Sequence, residues 1–413
     1  MSRYNEKSKS EYQQLYNQLK EKLELQYQTY FSNLKKYYED KIKYLQNQIK
    51  NIFETVYQID YNGVDVYSIG DNTIINQKYD NDDSKPKGLF NLNFNCYMNS
   101  LLQCLFYIKD LRNYFIENKD NFTENRPVCK ALSEILYKLK YGNEECFDVN
   151  GFKQIIGEKN KLFSGINGGD AKDLYFNLID SILNELSAED NNTPSLIFDS
   201  NMSEKIKTFK EIEGEVDKNN IINKLFIGFY EIIYKCSSDI YNIYSFNYEN
   251  CIIFNLQSIA QYNNKEKLSL NDCFEYNFNK KSNTSFYCSK CERTEINLSE
   301  EKIFRPPKIL VLILDRGKGK KYKGKVDFQI NIDLQNYIDR NENNYEFSTK
   351  YKLISVLTHS GLSSPSGGHY TASCLTDNGK YYYFSDTYVK EITEQYLFIN
   401  EPYLLFYERE DNI

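Results

Sequence analysis

The chain has 413 residues, 41% apolar and 15% aromatic, with a formal net charge of −7. Apolar content on this scale supports a sizeable core over roughly two or three domains. The acidic balance argues against nucleic-acid binding dominated by phosphate contacts. No apolar run reaches the roughly 20 residues of a bilayer-spanning helix, and the N-terminus lacks a signal peptide's charged-then-apolar pattern. The ten cysteines are therefore expected to be reduced thiols in a cytoplasmic or nuclear setting.

The first predicted element is a long amphipathic helix over residues 1–53, a segment with no Gly, Pro or Cys. From Tyr12 through Leu23, Leu34 and Ile42 to Ile52, apolar or aromatic residues recur with a mean spacing of about 3.6, the period of a straight helix. The stripe fits a helix packed on its own chain or a coiled coil that takes a partner, and does not separate the two. Residues 54–87 read as a linker: a strand-like run from Val64 to Ile69, then the polar stretch from Tyr79 to Lys87. Residues 88–410 form the expected main domain, mainly helical from Gly88 to about Leu186. A helix start falls at Asp170, where acidic residues suit the first turn. Strands are predicted at Ile252–Leu256, Ile309–Leu314, Val326–Ile332, Lys352–Thr358, Tyr381–Phe384 and Tyr403–Tyr407. Helices first and strands later give an α+β class. Arg316–Lys325 is expected to be a solvated hairpin loop, since its glycines lack the spacing of a phosphate cradle.

Two features carry chemistry. Cys96 follows an Asn-rich turn and opens a helix whose apolar face includes Met98, Leu101, Leu102 and Leu105. A thiol at a helix N-terminus is expected to have a lowered pKa. The chain has only two histidines, His359 and His369, so imidazole chemistry is confined to that segment. His369 stands in a glycine-rich turn, Gly367-Gly368-His369-Tyr370. A cysteine nucleophile and its histidine base must meet in space, not in sequence. The pattern reads as a cysteine hydrolase.

The run Gly88-Leu89-Phe90-Asn91-Leu92, continued by Cys96-Tyr97-Met98-Asn99-Ser100-Leu101-Leu102-Gln103, resembles the Cys box of ubiquitin-specific proteases. Tyr351 to His359, Gly367 to Ala372, Tyr383-Phe384-Ser385-Asp386 and Tyr403 to Arg409 are similar to that family's His box. The resemblance implies a papain-like fold with a helical thumb (Gly88 to Leu186) and a β-rich palm and fingers (Ile221 to Arg409). It implies a deubiquitinating thiol protease that forms a thioester at Cys96 and needs no cofactor for chemistry. It casts His369 as general base, Asn91 as oxyanion donor, and Ser385, where the family usually has Asn or Asp, as orienter of the imidazole assisted by Asp386. Asn93, Phe94 and Asn95 replace a Gly-Asn-Thr-like run, and Asn93 is expected to take over the glycine's left-handed backbone.

The same resemblance makes Asp170 and Asp173 substrate-binding acids, with Asp170 pairing an arginine of the ubiquitin tail. Ser360–Gly368 reads as a mobile loop closing over that tail, Gly368 being part of it, with Tyr370 lining the channel and His359 at a frequent family position. A structural zinc in the fingers would use Cys236, Asp239, Cys288 and Cys291, a set in which one thiolate has become a carboxylate. Expected partners are ubiquitin or ubiquitinated proteins and a coiled-coil partner through residues 1–53, with no nucleic acid and no membrane span. The alternatives are a protease for another ubiquitin-like modifier, a pseudoenzyme that grips ubiquitin without cleaving it, and a scaffold built on the N-terminal helix.

Overall fold

The computed structural model describes residues 85–165, 168–187, 203–216, 218–235, 242–288, 291–317, 322–339, 347–361 and 368–410. The predicted helix over 1–53, the strand-like run at Val64–Ile69 and nearly all of the linker lie outside these residues. A short strand, β1 (Gly88–Leu89), leads into α1 (Cys96–Phe106), α2 (Lys109–Glu117) and α3 (Pro127–Tyr141), whose first turn carries Pro127. Proline suits that position because its missing N–H would have no helical acceptor. β2 (Cys146–Phe147) pairs in parallel with β1, and α4 (Asn150–Lys159) and α5 (Ala171–Leu186) complete the helical layer.

Every residue of α1 is buried, which demands partners for its polar side chains. Gln103 Nε2 donates to Lys87 O at 2.8 Å, and Asn99 Nδ2 donates to Asp386 Oδ1 at 2.8 Å. The Glu185 carboxylate on α5 accepts from the Val128 and Cys129 N–H groups at the start of α3 and pairs with Lys159. It thus supplies the acceptors that a helix N-terminus lacks within itself.

The chain continues through α6 (Glu204–Gly214) and α7 (Ile221–Phe226) to β3 (Gly228–Lys235) and β4 (Asn242–Glu249). Next come β5 (Ile252–Asn255), α8 (Leu256–Asn263), β6 (Leu268–Ser269), α9 (Leu270–Phe274), β7 (Ser282–Cys288) and β8 (Arg293–Arg305). The remaining strands are β9 (Ile309–Asp315), β10 (Val326–Asp327), β11 (Asn331–Asp333), β12 (Lys350–Gly361), β13 (Gly368–Leu375), β14 (Tyr381–Ser385), β15 (Tyr388–Ile392) and β16 (Pro402–Arg409).

Among the described residues, the main sheet runs β15-β14-β13-β12-β16-β9-β5, with β11 also on β12, and a separate sheet runs β4-β3-β8-β7. β9 shows why the main sheet is buried on both faces. Its Ile309, Val311 and Ile313 join the core shared with α1 and α5, while Leu310, Leu312 and Leu314 join the core under α8 and α9. A strand covered on both sides reads as an unbroken apolar run instead of alternating. In the smaller sheet, α6 packs Phe209 against Phe229, Phe246 and Phe304.

Several expectations change. The predicted strand at Ile252–Leu256 ends at Asn255, whose side chain accepts from Ser258 N and caps α8. The expected strand over Val326–Ile332 splits into β10 and β11, and the region after Ile221 holds α7, α8 and α9 among its strands. The expected solvated loop at Arg316–Lys325 is anchored by two buried side chains: Arg316 donates to Gly324 O at 2.8 Å, and Tyr322 is 4% exposed. The glycine-like backbone falls on Phe94 (φ 54°), not on Asn93. Asn93 is instead tied down, its Nδ2 donating to Asn150 Oδ1 and its carbonyl accepting from Lys153 Nζ.

Candidate active site

α1 lies across the main sheet over β13 and carries Cys96 as its first residue. The thiol is 9% exposed. Burial pushes its pKa up, and the nearby Asp386 carboxylate adds to the rise. Hydrogen bonds from the backbone of Tyr370, Tyr97 and Cys96 itself pull the other way. The expected lowering by the helix terminus is thus overturned: desolvation of the anion outweighs the dipole. Burial thus disfavours the Cys96 thiolate.

His369 is the second residue of β13, next to Tyr370, whose backbone reaches Cys96. Its Nε2 stands 2.8 Å from Ser385 Oγ and 3.8 Å from Asp386 Oδ2. The serine is at hydrogen-bonding distance and the aspartate is not, so direction and charge come from two adjacent residues. Asp386 adopts a left-handed backbone (φ 55°) at the turn after β14. Its carboxylate accepts from Asn91 Nδ2 at 2.9 Å and from Asn99 Nδ2 at 2.8 Å. Asn91 Oδ1 in turn accepts from the Asn95 N–H at 2.6 Å. Asp386 therefore links the turn before Cys96, the helix that carries Cys96 and the imidazole. Asn99 was not singled out by sequence reasoning. Its polar side chain on a buried helix was the available signal.

On the other side of His369, Asp170 caps α5 by accepting from the Lys172 and Asp173 N–H groups. Tyr403 OH donates to its two carboxylate oxygens at 2.8 and 3.0 Å, and Tyr370 OH donates at 3.4 Å. Burial and then the Asp170 charge drive both phenol pKa values well up, so both remain donors. Asp173 is exposed on the first turn of α5, its carboxyl pKa raised by partial burial and by Asp170. The His359 ring lies over Tyr370, centroids 4.3 Å apart, and a side chain at Gly368 would collide with that ring. Gly368 is required by this close approach. Residues 362–367 of the expected loop lie outside the described residues. Tyr403 was sequence-visible only as part of a strand motif, with no role attached.

The zinc set is split. Cys288, fully buried at the end of β7, and Cys291, half-buried, are described. Cys236 and Asp239 lie outside the described residues. Among the described residues no group of three or more His, Cys, Asp or Glu side chains could hold a metal, and no helix is long and apolar enough to cross a membrane.

The family model described as ubiquitin carboxyl-terminal hydrolase matches residues 87–407. Ubiquitin carboxyl-terminal hydrolase 36 of Drosophila pseudoobscura pseudoobscura is 24% identical over 330 residues, 78% of this chain and 29% of that protein. The Drosophila melanogaster protein of the same name is 26% identical over 208 residues, 49% of this chain and 19% of its own length. The chain thus spans less than a third of these relatives. Among solved structures, the SAGA Ubp8/Sgf11/Sus1/Sgf73 DUB module bound to ubiquitin aldehyde matches with a TM-score of 0.61 at 20% identity, covering 79% of this chain and 70% of that one. A yeast SAGA DUB module matches with a TM-score of 0.59 at 20% identity, covering 89% and 76%. These last are likenesses of fold. The family match, by contrast, takes in the helix that carries Cys96 and the strands that carry His369 and Ser385, and the chain belongs to the ubiquitin carboxyl-terminal hydrolase family.

Proposed function

We propose that the chain is a deubiquitinating thiol protease that hydrolyses the peptide or isopeptide bond after the C-terminal glycine of ubiquitin. One observation carries this reading: the Cys96 thiol meets the backbone of Tyr370 on β13, the neighbour of His369, whose Nε2 is held by Ser385. With its proton on Nε2, His369 donates to Ser385 Oγ and presents Nδ1 as the base. Nδ1 takes the Cys96 proton and sulfur attacks the glycine carbonyl. The C–N bond then breaks, and His369 returns the proton to the departing lysine amine. Water, deprotonated by His369, cleaves the thioester and restores the thiol. One Asn91 amide hydrogen is engaged by Asp386, which fixes the amide plane, and the other serves the developing oxyanion.

Asp170, held between Tyr370 and Tyr403, offers a carboxylate to an arginine of the ubiquitin tail, and Asp173, His359 and Gly368 complete the tail channel. The chemistry so written uses a thiol, an imidazole and an amide. Zinc bound by Cys236, Asp239, Cys288 and Cys291 would brace the fingers only. Elemental analysis of the full chain tests it: one zinc per chain, lost in Cys288→Ser, supports the site, and a metal-free wild type ends it.

The main test is intact mass after incubation with ubiquitin bearing a C-terminal electrophile. Wild type is expected to gain one ubiquitin and Cys96→Ala none, while Cys96→Ala still binds ubiquitin. Binding without an adduct on wild type would make the chain a pseudoenzyme. Neither binding nor adduct, with reaction toward another modifier, would move the assignment there.

A further inference from the structure

The strand order divides the site into two flanks. From His369 on β13, the β12–β16 side holds His359, Tyr403 and Asp170, the channel assigned to the ubiquitin tail. The β14–β15 side holds Ser385, Asp386 and Tyr388, and the turn before Cys96 is tied there through Asn91 to Asp386 and through Leu89 N to Asp386 O. A tail that enters from the first flank and is cut at Cys96 releases its amine toward the second.

That second flank is apolar. Phe90 is 41% exposed, Leu92 61%, Phe94 64% and Tyr388 56%. Four large apolar side chains on so short a rim exceed the scattered exposure of an ordinary surface. Phe94 also has a left-handed backbone, φ 54°, which disfavours a bulky side chain. Its exposed ring gains little packing to offset that cost, and both neighbours are pinned to α4, Asn93 and Asn95 each through Asn150 Oδ1. The fold thus holds in place a strained residue whose ring faces solvent, the pattern of strain kept at a working surface.

We infer that Phe90, Leu92, Phe94 and Tyr388 form a leaving-group subsite that selects isopeptide lysines flanked by apolar residues. The occupant is the polypeptide that departs with the lysine amine. Continuity with the catalytic dyad identifies it, because whatever is attached to the scissile nitrogen must pass over this rim. The inference rests on the ubiquitin-directed hydrolysis proposed above.

The test uses the full chain and three substrates sharing one ubiquitin: a C-terminal fluorogenic amide, and ubiquitin linked through a peptide lysine flanked by Leu and Phe or by Ser and Gly. Wild type is expected to favour the apolar-flanked conjugate by at least about fivefold in kcat/KM. Leu92→Ser and Tyr388→Ser should each reduce that preference, and together abolish it, with amide hydrolysis unchanged within about twofold. No preference in wild type, with normal amide hydrolysis, overturns the subsite alone. Equal losses on all three substrates would mean that the variants only disturb the site, and also overturn it. Faster cleavage of both conjugates by the variants would show the rim covered by the chain's own residues. No hydrolysis of any substrate by wild type sinks the ubiquitin reading itself.

Discussion

At the scale of single residues, the site separates two duties that one side chain often combines. Ser385 touches the imidazole but has no charge, whereas Asp386 has the charge but stands 3.8 Å from Nε2. Ser385→Ala should lower kcat about tenfold, because the aspartate still favours the imidazolium. Asp386→Ala should cost about a hundredfold or more, because it also frees Asn91 and takes from buried Asn99 its shortest hydrogen bond. Turnover of a ubiquitin amide measures both, and the reverse ranking would reject this division. Gly368 gives a second expectation at this scale. Gly368→Ala should depress kcat/KM by about tenfold or more by displacing the His359 ring, and His359→Ala added to it should recover part of the loss. Failure of that rescue would place the effect elsewhere.

Cys96 and His369 were legible from the sequence because the chemistry demands rare residue types and the chain has only two histidines. Asp386's wider part was not legible, since its partners Asn91 and Asn99 lie 295 and 287 residues away. The pKa of Cys96 was misread for a related reason. A helix start can be seen in a sequence, but the burial that outweighs it cannot.

At the scale of elements, α6 meets the smaller sheet through a buried cation. Lys205 Nζ lies 2.8 Å from Glu231 Oε1 on β3 and 2.7 Å from Asp339 Oδ2. Two carboxylates share one ammonium, and Glu231 is fully buried. Burial, against the pull of Lys205, pushes the Glu231 carboxyl from 4.5 up to about 7. The folded state therefore holds a proton that the unfolded chain releases between those values. The associated stability is complete below pH 4.5 and is lost as pH rises through 7. Stability against unfolding should fall between pH 5 and pH 8 by about 2 kcal/mol from this group. Glu231→Gln should flatten that part of the profile, and a parallel slope in the variant would show that other groups control it. The strands of this sheet are hard to read from sequence because β4 apart from Phe246, and much of β7 and β8, are exposed or half-buried. An element with little buried face leaves a weak alternation to read. β9 and β16 were plain because both of their faces are covered.

At the scale of the whole molecule, the α+β class and the order of helical layer before strands could be read in advance, since apolar periodicity reports burial. The register between the layers could not. It depends on polar ties such as Arg112, 2% exposed, whose guanidinium holds Asp377 in the turn between β13 and β14. The strand order has one more consequence. β16, which closes the chain's described part, sits in the middle of the main sheet, between β12 and β9. The base and its orienter are synthesised before it, yet the strands bearing them cannot join β9 until residues 402–409 arrive. Without this strand the main sheet would fall into β15-β14-β13-β12 on one side and β9-β5 on the other. The continuity of the sheet thus waits on residues 402–409, which join β12 to β9 from the far end of the described sequence.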